Sequence, residues 1–379
     1  MNVVMVSNYF NHHQRPLAEE LYRICEGNFR FIATTTMRQE RKDLGYDSGA
    51  TPTYVLQSWM EEAACRRLID EADVVIAGSA PEAMLRGRIA AGKLLFRYSE
   101  RPLKNGPEWT KFFPRLLRWN LRNPAGKPIY MLCAGAYTAG DYRRFGLFRN
   151  RMYRWGYFPE VKKTGQLNIK EPNTILWCGR FLNWKHPDDV LRAAGRLRKE
   201  GYEFTLTFIG NGEMEAKLRE LAAQMELDCC IRFPGAMKPE EVRLQMDRSA
   251  VYLVTSDRQE GWGAVLNEAM SSCCAVVVSH AAGAVPFLVD DGENGMIYES
   301  GNVDMLCEKL RYLLDHPRVQ RRLGAQAHQT IMQNWNAEVA ARRLISLAER
   351  ILAGEKYPAL YESGPCSQAE IIGEDWYHR

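Results

Sequence analysis

The stretch TILWCGRFLNWKHPDDVLRAAGRLRKEGYEFTLTFIG, residues 174–210, decides the fold. It opens on a short apolar run, TILWCG. It then breaks at Gly-Arg and continues as HPDDVLRAAGRLRKEG, whose apolar residues recur at helical spacing. It closes on a second β-rich run, FTLTFIG. Strand, helix and strand in that order form a βαβ unit, which needs a parallel sheet with helices over its faces. The pattern repeats downstream. CCIRFPG (229–235), AVYLVTS (250–256) and CAVVVSH (274–280) read as strands, with EMEAKLRELAAQMEL, KPEEVRLQM and GAVLNEAMSS as helices between them. Ligands of such sheets bind at the carboxyl ends of the strands.

The first half follows the same rhythm. VVMVSNYF, FRFIATT, ADVVIAGS, KLLFRYS and PIYMLCAG read as strands, and PLAEELYRICEG and PEAMLRGRIAAG as helices. The Pro, Gly and Lys content of MYRWGYFPEVKKTGQLNIKEPNT (152–174) marks a linker. At 379 residues, two domains are expected. These are residues 1–160 and 161–335, followed by an amphipathic helix over 336–353 and a peripheral tail over 354–379.

Composition is that of a soluble globular protein, with 46% hydrophobic and 25% charged residues. No run of about 18 apolar residues occurs that would span a membrane. MNVVMVSNYF is expected to be a first strand rather than a signal peptide. The ten cysteines are scattered, with no C-x-x-C pair, and are expected to be reduced and structural in a cytoplasmic protein. Residues 1–160 carry 24 Lys and Arg against 16 Asp and Glu, while the remainder carries 26 against 30. A first half of +8 suggests an anionic partner: a membrane surface, an acidic substrate or a nucleic acid.

Four strand-end loops carry the candidate chemistry. In GRFLNWKHPD, Arg180 and Lys185 stand just before a helix, where two cations and backbone donors suit a diphosphate; alone they read equally as solvated surface charges. In IGNG, Gly210 and Gly212 permit a tight turn and close backbone approach, or simply a turn. In FPGAM, backbone groups at Ala236 and Met237 are placed to pair with a base edge, or form an ordinary loop.

The fourth loop is EGWGAVLNEAM, residues 260–270. Gly261 and Gly263 flank Trp262 where a strand gives way to a helix, so backbone N–H groups there are expected to point at an anion. Glu260 precedes the helix, and Glu268 lies about one and a half turns into it. A phosphate at the tip then has a carboxylate on either side. Each carboxylate can accept from vicinal hydroxyls, which fits a sugar on one side and a ribose on the other.

Residues 173–352 resemble the retaining glycosyltransferases of the GT-B fold, in family 4, the glycosyl transferases group 1. The resemblance rests on GRFLNWKHPD, IGNG, FPGAM, the E-x7-E spacing of Glu260 and Glu268, and DGENG (291–295), in that order. It implies an α/β architecture of two Rossmann-like domains facing each other across a cleft, with the C-terminal helix crossing back to the first. It implies that Arg180 and Lys185 bind the diphosphate and stabilise it as leaving group, that Glu260 holds the transferred sugar, that Glu268 holds the ribose, that the backbone of Gly263, Ala264 and Val265 caps the phosphates, and that Gly261 and Trp262 belong to the donor-binding loop. UDP is the base the family implies. No metal is expected, since the cations and helix tip replace it and no D-x-D triplet occurs. One position departs from many relatives: Phe287 stands where they carry a glutamate.

The acceptor falls to the first domain. Asn11, His12 and His13 follow the first strand; His12 either contacts the donor phosphate or acceptor, or is a loop histidine without a ligand. Where many relatives place a mid-domain histidine, this chain has RYSERPLK, in which Glu100 either orients the acceptor or pairs with Arg101. WTKFFPRLLRWNLR (109–122) mixes aromatics with Lys111, Arg115, Arg118 and Arg122. It reads as a membrane-docking segment or as a helix with a buried aromatic face and a solvated basic one. The reading is a hexosyltransferase acting on a glycan or lipid-linked acceptor in surface polysaccharide or glycolipid synthesis, cytoplasmic and peripheral on the inner membrane face, with no nucleic-acid partner. Its rivals are a nucleotide-sugar 2-epimerase of the same fold, a two-carboxylate glycoside hydrolase and a non-catalytic sugar-nucleotide-binding subunit.

Overall fold

A computed structural model describes residues 1–39, 42, 45, 50–106, 109–161 and 170–378, without the side chains of Trp109 and Lys111. The chain divides into two units, residues 1–160 with 334–373, and residues 161–333 with 374–379.

The first unit is a seven-stranded sheet. Its strands are β1 (Val3–Ser7), β2 (Phe29–Ala33), β3 (Val55–Gln57), β4 (Val74–Ala77), β5 (Leu95–Ser99), β6 (Ile129–Ala134) and β7 (Met152–Trp155). They lie in the order β3-β2-β1-β4-β5-β6-β7, every pair parallel. Helices α1 (Arg15–Ile24), α2 (Glu62–Glu71), α3 (Glu82–Ala91), α4 (Trp109–Arg122) and α5 (Thr138–Arg144) fill the crossovers. β1, β4 and β6 are buried along their whole length, as parallel strands covered on both faces must be.

The second unit has six parallel strands, β8 (Glu171–Cys178), β9 (Thr205–Ile209), β10 (Ile231–Gly235), β11 (Ser249–Val254), β12 (Ala275–Ser279) and β13 (Met296–Tyr298), in the order β10-β9-β8-β11-β12-β13. Its helices are α6 (Pro187–Lys199), α7 (Glu215–Gln224), α8 (Pro239–Arg248), α9 (Ala264–Ser271), α10 (Val285–Leu288), α11 (Val303–Asp315) and α12 (Pro317–Gln333). α13 (Ala337–Leu352) then packs on α1, as part of the first unit. In both sheets the order reverses beside the first strand, between β1 and β4 and between β8 and β11. These are the switch points where loops diverge and leave a crevice. No described helix is long and apolar enough to cross a membrane.

Two expectations are corrected. The stretch read as a linker begins with β7, whose Tyr153 and Trp155 are fully buried and whose Met152 pairs with Met131. The Pro, Gly and Lys content that marked a linker belongs to the residues after it, of which 162–169 lie outside the described residues. The tail expected at the periphery is built into the first unit as far as Gly373. Cys366 N–H donates to Arg154 O (2.9 Å), Arg154 N–H to Ser367 O (2.7 Å) and Ala369 N–H to Met152 O (2.9 Å). The Tyr153 hydroxyl donates to Pro358 O (3.0 Å). A sheet edge needs such cover, and the need cannot be seen in the tail's own irregular sequence. Three short strands, β3, β7 and β13, carry too few residues to show a period.

Ending the chain at Gly354 strips these bonds from β7 and leaves the buried Tyr153 hydroxyl unsatisfied. At about 0.5–1.5 kcal/mol for each bond, the first unit is expected to melt roughly 5–10 °C lower. Calorimetry checks this, and an unchanged melting temperature would restore the peripheral reading.

Candidate functional site

Because every strand of the second sheet is parallel, all of its β-to-α loops leave from one edge, and backbone contacts lock them together. Gly179 N–H donates to Ile209 O (3.0 Å), Phe181 N–H to Asn211 O (2.7 Å) and Gly210 N–H to Gly235 O (2.9 Å). A Cβ at Gly210 would lie 1.9 Å from Gly179 O, and one at Gly212 would lie 2.6 Å from Phe181 O; both glycines have positive φ. The Gly-x-Gly signal thus answers first to the neighbouring β8 loop. Ala236 is exposed and Met237 half-buried after β10. On the other side, Gly283 N–H donates to Glu260 O (3.0 Å) and Ala284 N–H to Trp262 O (3.1 Å). A Cβ at Gly283 would meet Gly261 O at 1.9 Å.

The switch point brings the β8 and β11 loops side by side. Lys185 closes a 3₁₀ turn (Asn183–Lys185) at the foot of α6, and its Nζ lies 2.5 Å from Glu260 Oε2. Both side chains are only 14% exposed. Ser256 Oγ also donates to Glu260 Oε2 (3.1 Å), and Lys185 Nζ lies 4.8 Å from the Trp184 ring centroid. Sequence reasoning gave the two residues separate duties, but the fold joins them in an ion pair. A phosphate that reaches Lys185 therefore competes with Glu260 for it. Arg180 stands exposed at the end of β8, available to an anion.

Glu260 sits over the start of α9. Gly263, the N-cap, is left-handed (φ 93°), and a Cβ there would lie 3.3 Å from Glu260 Cγ. The first backbone N–H groups of α9, at Ala264 and Val265, have no preceding turn to bond to, which makes the helix tip an anion site. Glu268 is buried further along the same helix. Trp262, read as a ligand-contacting residue, is fully buried, and its Nε1–H donates to Asn267 Oδ1 (2.8 Å). Its indole is a packing element, leaving its main chain for other duty. Phe287 lies in α10, its ring 6.4 Å from that of Trp262.

Sequence reasoning missed the staple that fixes these loops. His186 adopts φ 47° between the 3₁₀ turn and α6, and its Nε2 lies 3.3 Å from Asp257 Oδ2. Asp257 N–H in turn donates to Trp184 O (2.9 Å). Trp177 Nε1–H donates to Thr255 Oγ1 (2.9 Å), whose own proton goes to Lys185 O (2.5 Å). The hydrogen bond to Asp257 raises the His186 imidazole above its ordinary value, outweighing burial. Burial opposes the charge of Asp257, but bonds from His186 and from Gln259 N–H hold its carboxyl below the ordinary range. A histidine next to Lys185 was the available signal; its partner 71 residues away was not visible.

In the first unit, a cavity of about 590 Å³ opens over the ends of β1, β4 and β5. Asn8, His13, Gly78, Glu82, Arg97 and Glu100 are among its walls. Asn11 Oδ1 caps the turn into α1 by accepting from His13 N–H (3.0 Å) and Gln14 N–H (3.1 Å). The His12 ring lies 4.0 Å from that of His13, which is the one on the cavity wall. Glu82 and Arg97 pair through two bonds of 2.9 Å. Glu100 does not pair with Arg101: it pairs with Lys104, whereas Arg101 is buried against Asp141 (3.1 and 3.2 Å) and over the Tyr137 ring.

α4 resolves its two sequence readings into two faces. Phe112 stacks on Phe145 (5.0 Å) and Trp119 meets the same ring edge-on (4.5 Å). Phe113, Leu117 and Leu121, one turn apart along the other face, are 72%, 65% and 73% exposed. Arg118 is exposed on the same helix, and Arg143 and Arg144 are exposed on α5.

Residues 160–330 match the profile of the family described as "Glycosyl transferases group 1". The putative colanic acid biosynthesis glycosyltransferase WcaL of Salmonella typhimurium is 28% identical over 187 residues, 48% of this chain and 46% of its own length. The amylovoran biosynthesis glycosyltransferase AmsK of Erwinia amylovora is 26% identical over 188 residues, with the same coverage. The chain thus spans about half the length of the curated relatives it matches. The crystal structure of Anabaena HepE in complex with UDP superposes with a TM-score of 0.70 at 14% identity, over 93% of this chain and 100% of that one. The architecture is the two-Rossmann GT-B fold that the sequence implied.

The His186–Asp257 staple carries a pH signature. The lowered Asp257 carboxyl contributes stability that is present above its ordinary value of 3.8 and lost as pH falls through its lower folded value. The raised His186 imidazole contributes stability that is full below 6.5 and lost as pH rises through its higher folded value. The pair therefore stabilises most between 3.8 and 6.5. His186→Ala is expected to cost about 1 kcal/mol or less near pH 6 and less still near pH 9, as urea titrations at the two pH values would read. An equal loss at both would refute the charged pair.

Proposed function

We propose that this chain, whose residues 160–330 belong to the glycosyl transferases group 1 family, is a retaining glycosyltransferase. It moves a sugar from a UDP-linked donor to a glycan or lipid-linked acceptor in cell-surface polysaccharide or glycolipid synthesis. One observation carries this reading: at the switch point of the second unit, Glu260 and Lys185 meet at the tip of α9, with Glu268 along the same helix and Arg180 exposed in the loop that follows β8.

The arrangement suits a sugar nucleotide. The diphosphate replaces Glu260 as the partner of Lys185, with Arg180 and the N–H groups of Ala264 and Val265 taking further oxygens. Its charge is met by these groups, without a metal. Glu260, released, accepts from the hydroxyls of the transferred sugar, while Glu268 faces the ribose. As the glycosidic bond breaks, the cations stabilise the departing phosphate, which takes the acceptor's proton on the same face of the sugar; the negative field of Glu260 favours the oxocarbenium character that develops. No enzyme base is required. Acceptor hydroxyls meet Glu100 and the His12–His13 turn.

A 2-epimerase would bind the same donor but has no use for the charged cavity of the first unit. A glycoside hydrolase needs two carboxylates facing one bond and has no use for the Lys185 cation that meets Glu260 or for an anion site at the tip of α9. The exposed Phe113–Leu117–Leu121 stripe, flanked by arginines, fits the headgroup level of an anionic leaflet. On this reading the protein works in the cytoplasm, at the inner membrane face.

Among UDP-, GDP-, ADP- and CMP-sugars, a UDP-sugar is expected to raise the melting temperature. At 100 times its dissociation constant it adds about 2.7 kcal/mol, and Arg180→Ala abolishes the shift. Glu268→Ala weakens donor binding, while Glu260→Ala chiefly lowers kcat; equal loss of nucleotide affinity in both would contradict the division of roles. The product should keep the donor's anomeric configuration by NMR. Donor turnover without any acceptor, giving a 2-epimer, would favour the rival.

A second expectation concerns α4. The chain should co-sediment with phosphatidylglycerol vesicles at low salt, and Phe113→Ser/Leu117→Ser/Leu121→Ser should lower the partition constant by at least about tenfold. Equal sedimentation of wild type and variant would exclude α4 as the docking face.

A further inference from the structure

A second, smaller cavity of about 260 Å³ opens in the first unit, over the carboxyl ends of β1, β2 and β3. Tyr9 lines both this cavity and the larger one, so a ligand leaving the first meets the second around a single side chain. The larger lies within the span of about 300–1,000 Å³ usual for ligand sites. The smaller falls just below it, which leaves room for one ring beside a bound group rather than for a ligand of its own.

The chemistry of the two walls differs. Charged pairs, Glu82 with Arg97 and Glu100 with Lys104, line the large cavity. Trp59, Thr35, Thr36 and Gln57, with a single cation, Lys42, are among the residues that line the small one. Trp59 follows β3 and is 45% exposed, although an indole gains by burial. The neighbouring Phe10 took that course, its ring edge-on to Phe31 (5.1 Å) and Tyr54 (6.1 Å). Thr35 Oγ1 donates to Asn8 O (3.1 Å), which ties the rim of the small cavity to the end of β1 and leaves the oxygen free to accept. A half-exposed aromatic face beside hydroxyls and a carboxamide matches a pyranose. The ring's C–H face lies against an indole by dispersion and area burial, while its rim of hydroxyls exchanges hydrogen bonds with Thr and Gln.

We infer that the acceptor is at least a disaccharide: its reacting sugar occupies the large cavity, and the sugar behind it stacks on Trp59 in the small one. This rests on the transferase reading and adds to it a specificity residue and a minimum acceptor length. Trp59 acts on binding, not on the reacting bond.

The test uses the full chain and ligand-observed saturation-transfer NMR. The probes are methyl glycosides of glucose, galactose, mannose and N-acetylglucosamine, and disaccharides built from them. At least one disaccharide should bind about tenfold tighter than any monosaccharide. Trp59→Ala should bring it down to the monosaccharide level without changing monosaccharide affinity, and Trp59→Phe should restore most of the gain. The side chain is half in solvent, so the variant is expected to fold, and its melting temperature confirms that. No disaccharide advantage, equal weakening of both probe classes by Trp59→Ala, or no glycan binding at all would overturn the inference. A UDP-sugar melting shift measured on the same samples separates the two readings: kept, it leaves the transferase standing without the subsite; absent together with glycan binding, it removes both.

Discussion

Everything in the second unit depends on one constraint: buried parallel strands force every connection to cross back over the sheet, so all loops that follow strands collect on one edge. Once there, the loops are close enough to need glycine. A side chain at Gly210 or Gly283 would drive into the carbonyl of Gly179 or Gly261. These contacts pack the β8 and β11 loops against their outer neighbours, and the direct pairing of β8 with β11 lets Lys185 and Glu260 meet although 75 residues separate them. The site is a consequence of the topology, sharpened by the missing side chains.

The ion pair at its centre is better understood as a holding arrangement than as a source of stability. Taking two charges largely out of water costs much of what their attraction returns. The pair keeps each charge satisfied within the loops that the strand order brings together. The staple of His186 and Asp257, with Thr255 reaching the carbonyl of Lys185, ties the backbones of the β8 and β11 loops together. In the first unit the corresponding switch point carries a cavity instead, with its charges already paired and its rim extended by aromatic residues.

Much of this could be read directly. The alternation of apolar runs with amphipathic stretches located ten of the strands, and the order of GRFLNWKHPD, IGNG, FPGAM and the paired glutamates pointed to the loops that the fold gathers. What was misread shares a cause. β7 was hidden because composition was averaged over a stretch that changes character after Trp155. The tail looked irregular because its order comes from the free edge of β7. Trp262 stands in the turn expected to meet the donor, but Asn267 and the core, both outside that turn, claim its indole. Glu100 had two cationic neighbours to choose from, and the buried Asp141, 40 residues away, took Arg101.

By itself, then, the sequence determined what is local or periodic: a parallel α/β architecture in both halves, the helix starts, the glycines at the turns and the carboxylates eight positions apart. Those features follow from rise per residue, backbone freedom and side-chain charge, which act over a few neighbouring positions. Only the tertiary structure decided who partners whom. Lys185 with Glu260, His186 with Asp257, Tyr9 shared by two cavities and the outward face of α4 depend on distances between segments far apart in the chain. Pattern and propensity carry no information about such distances until the strand order is set.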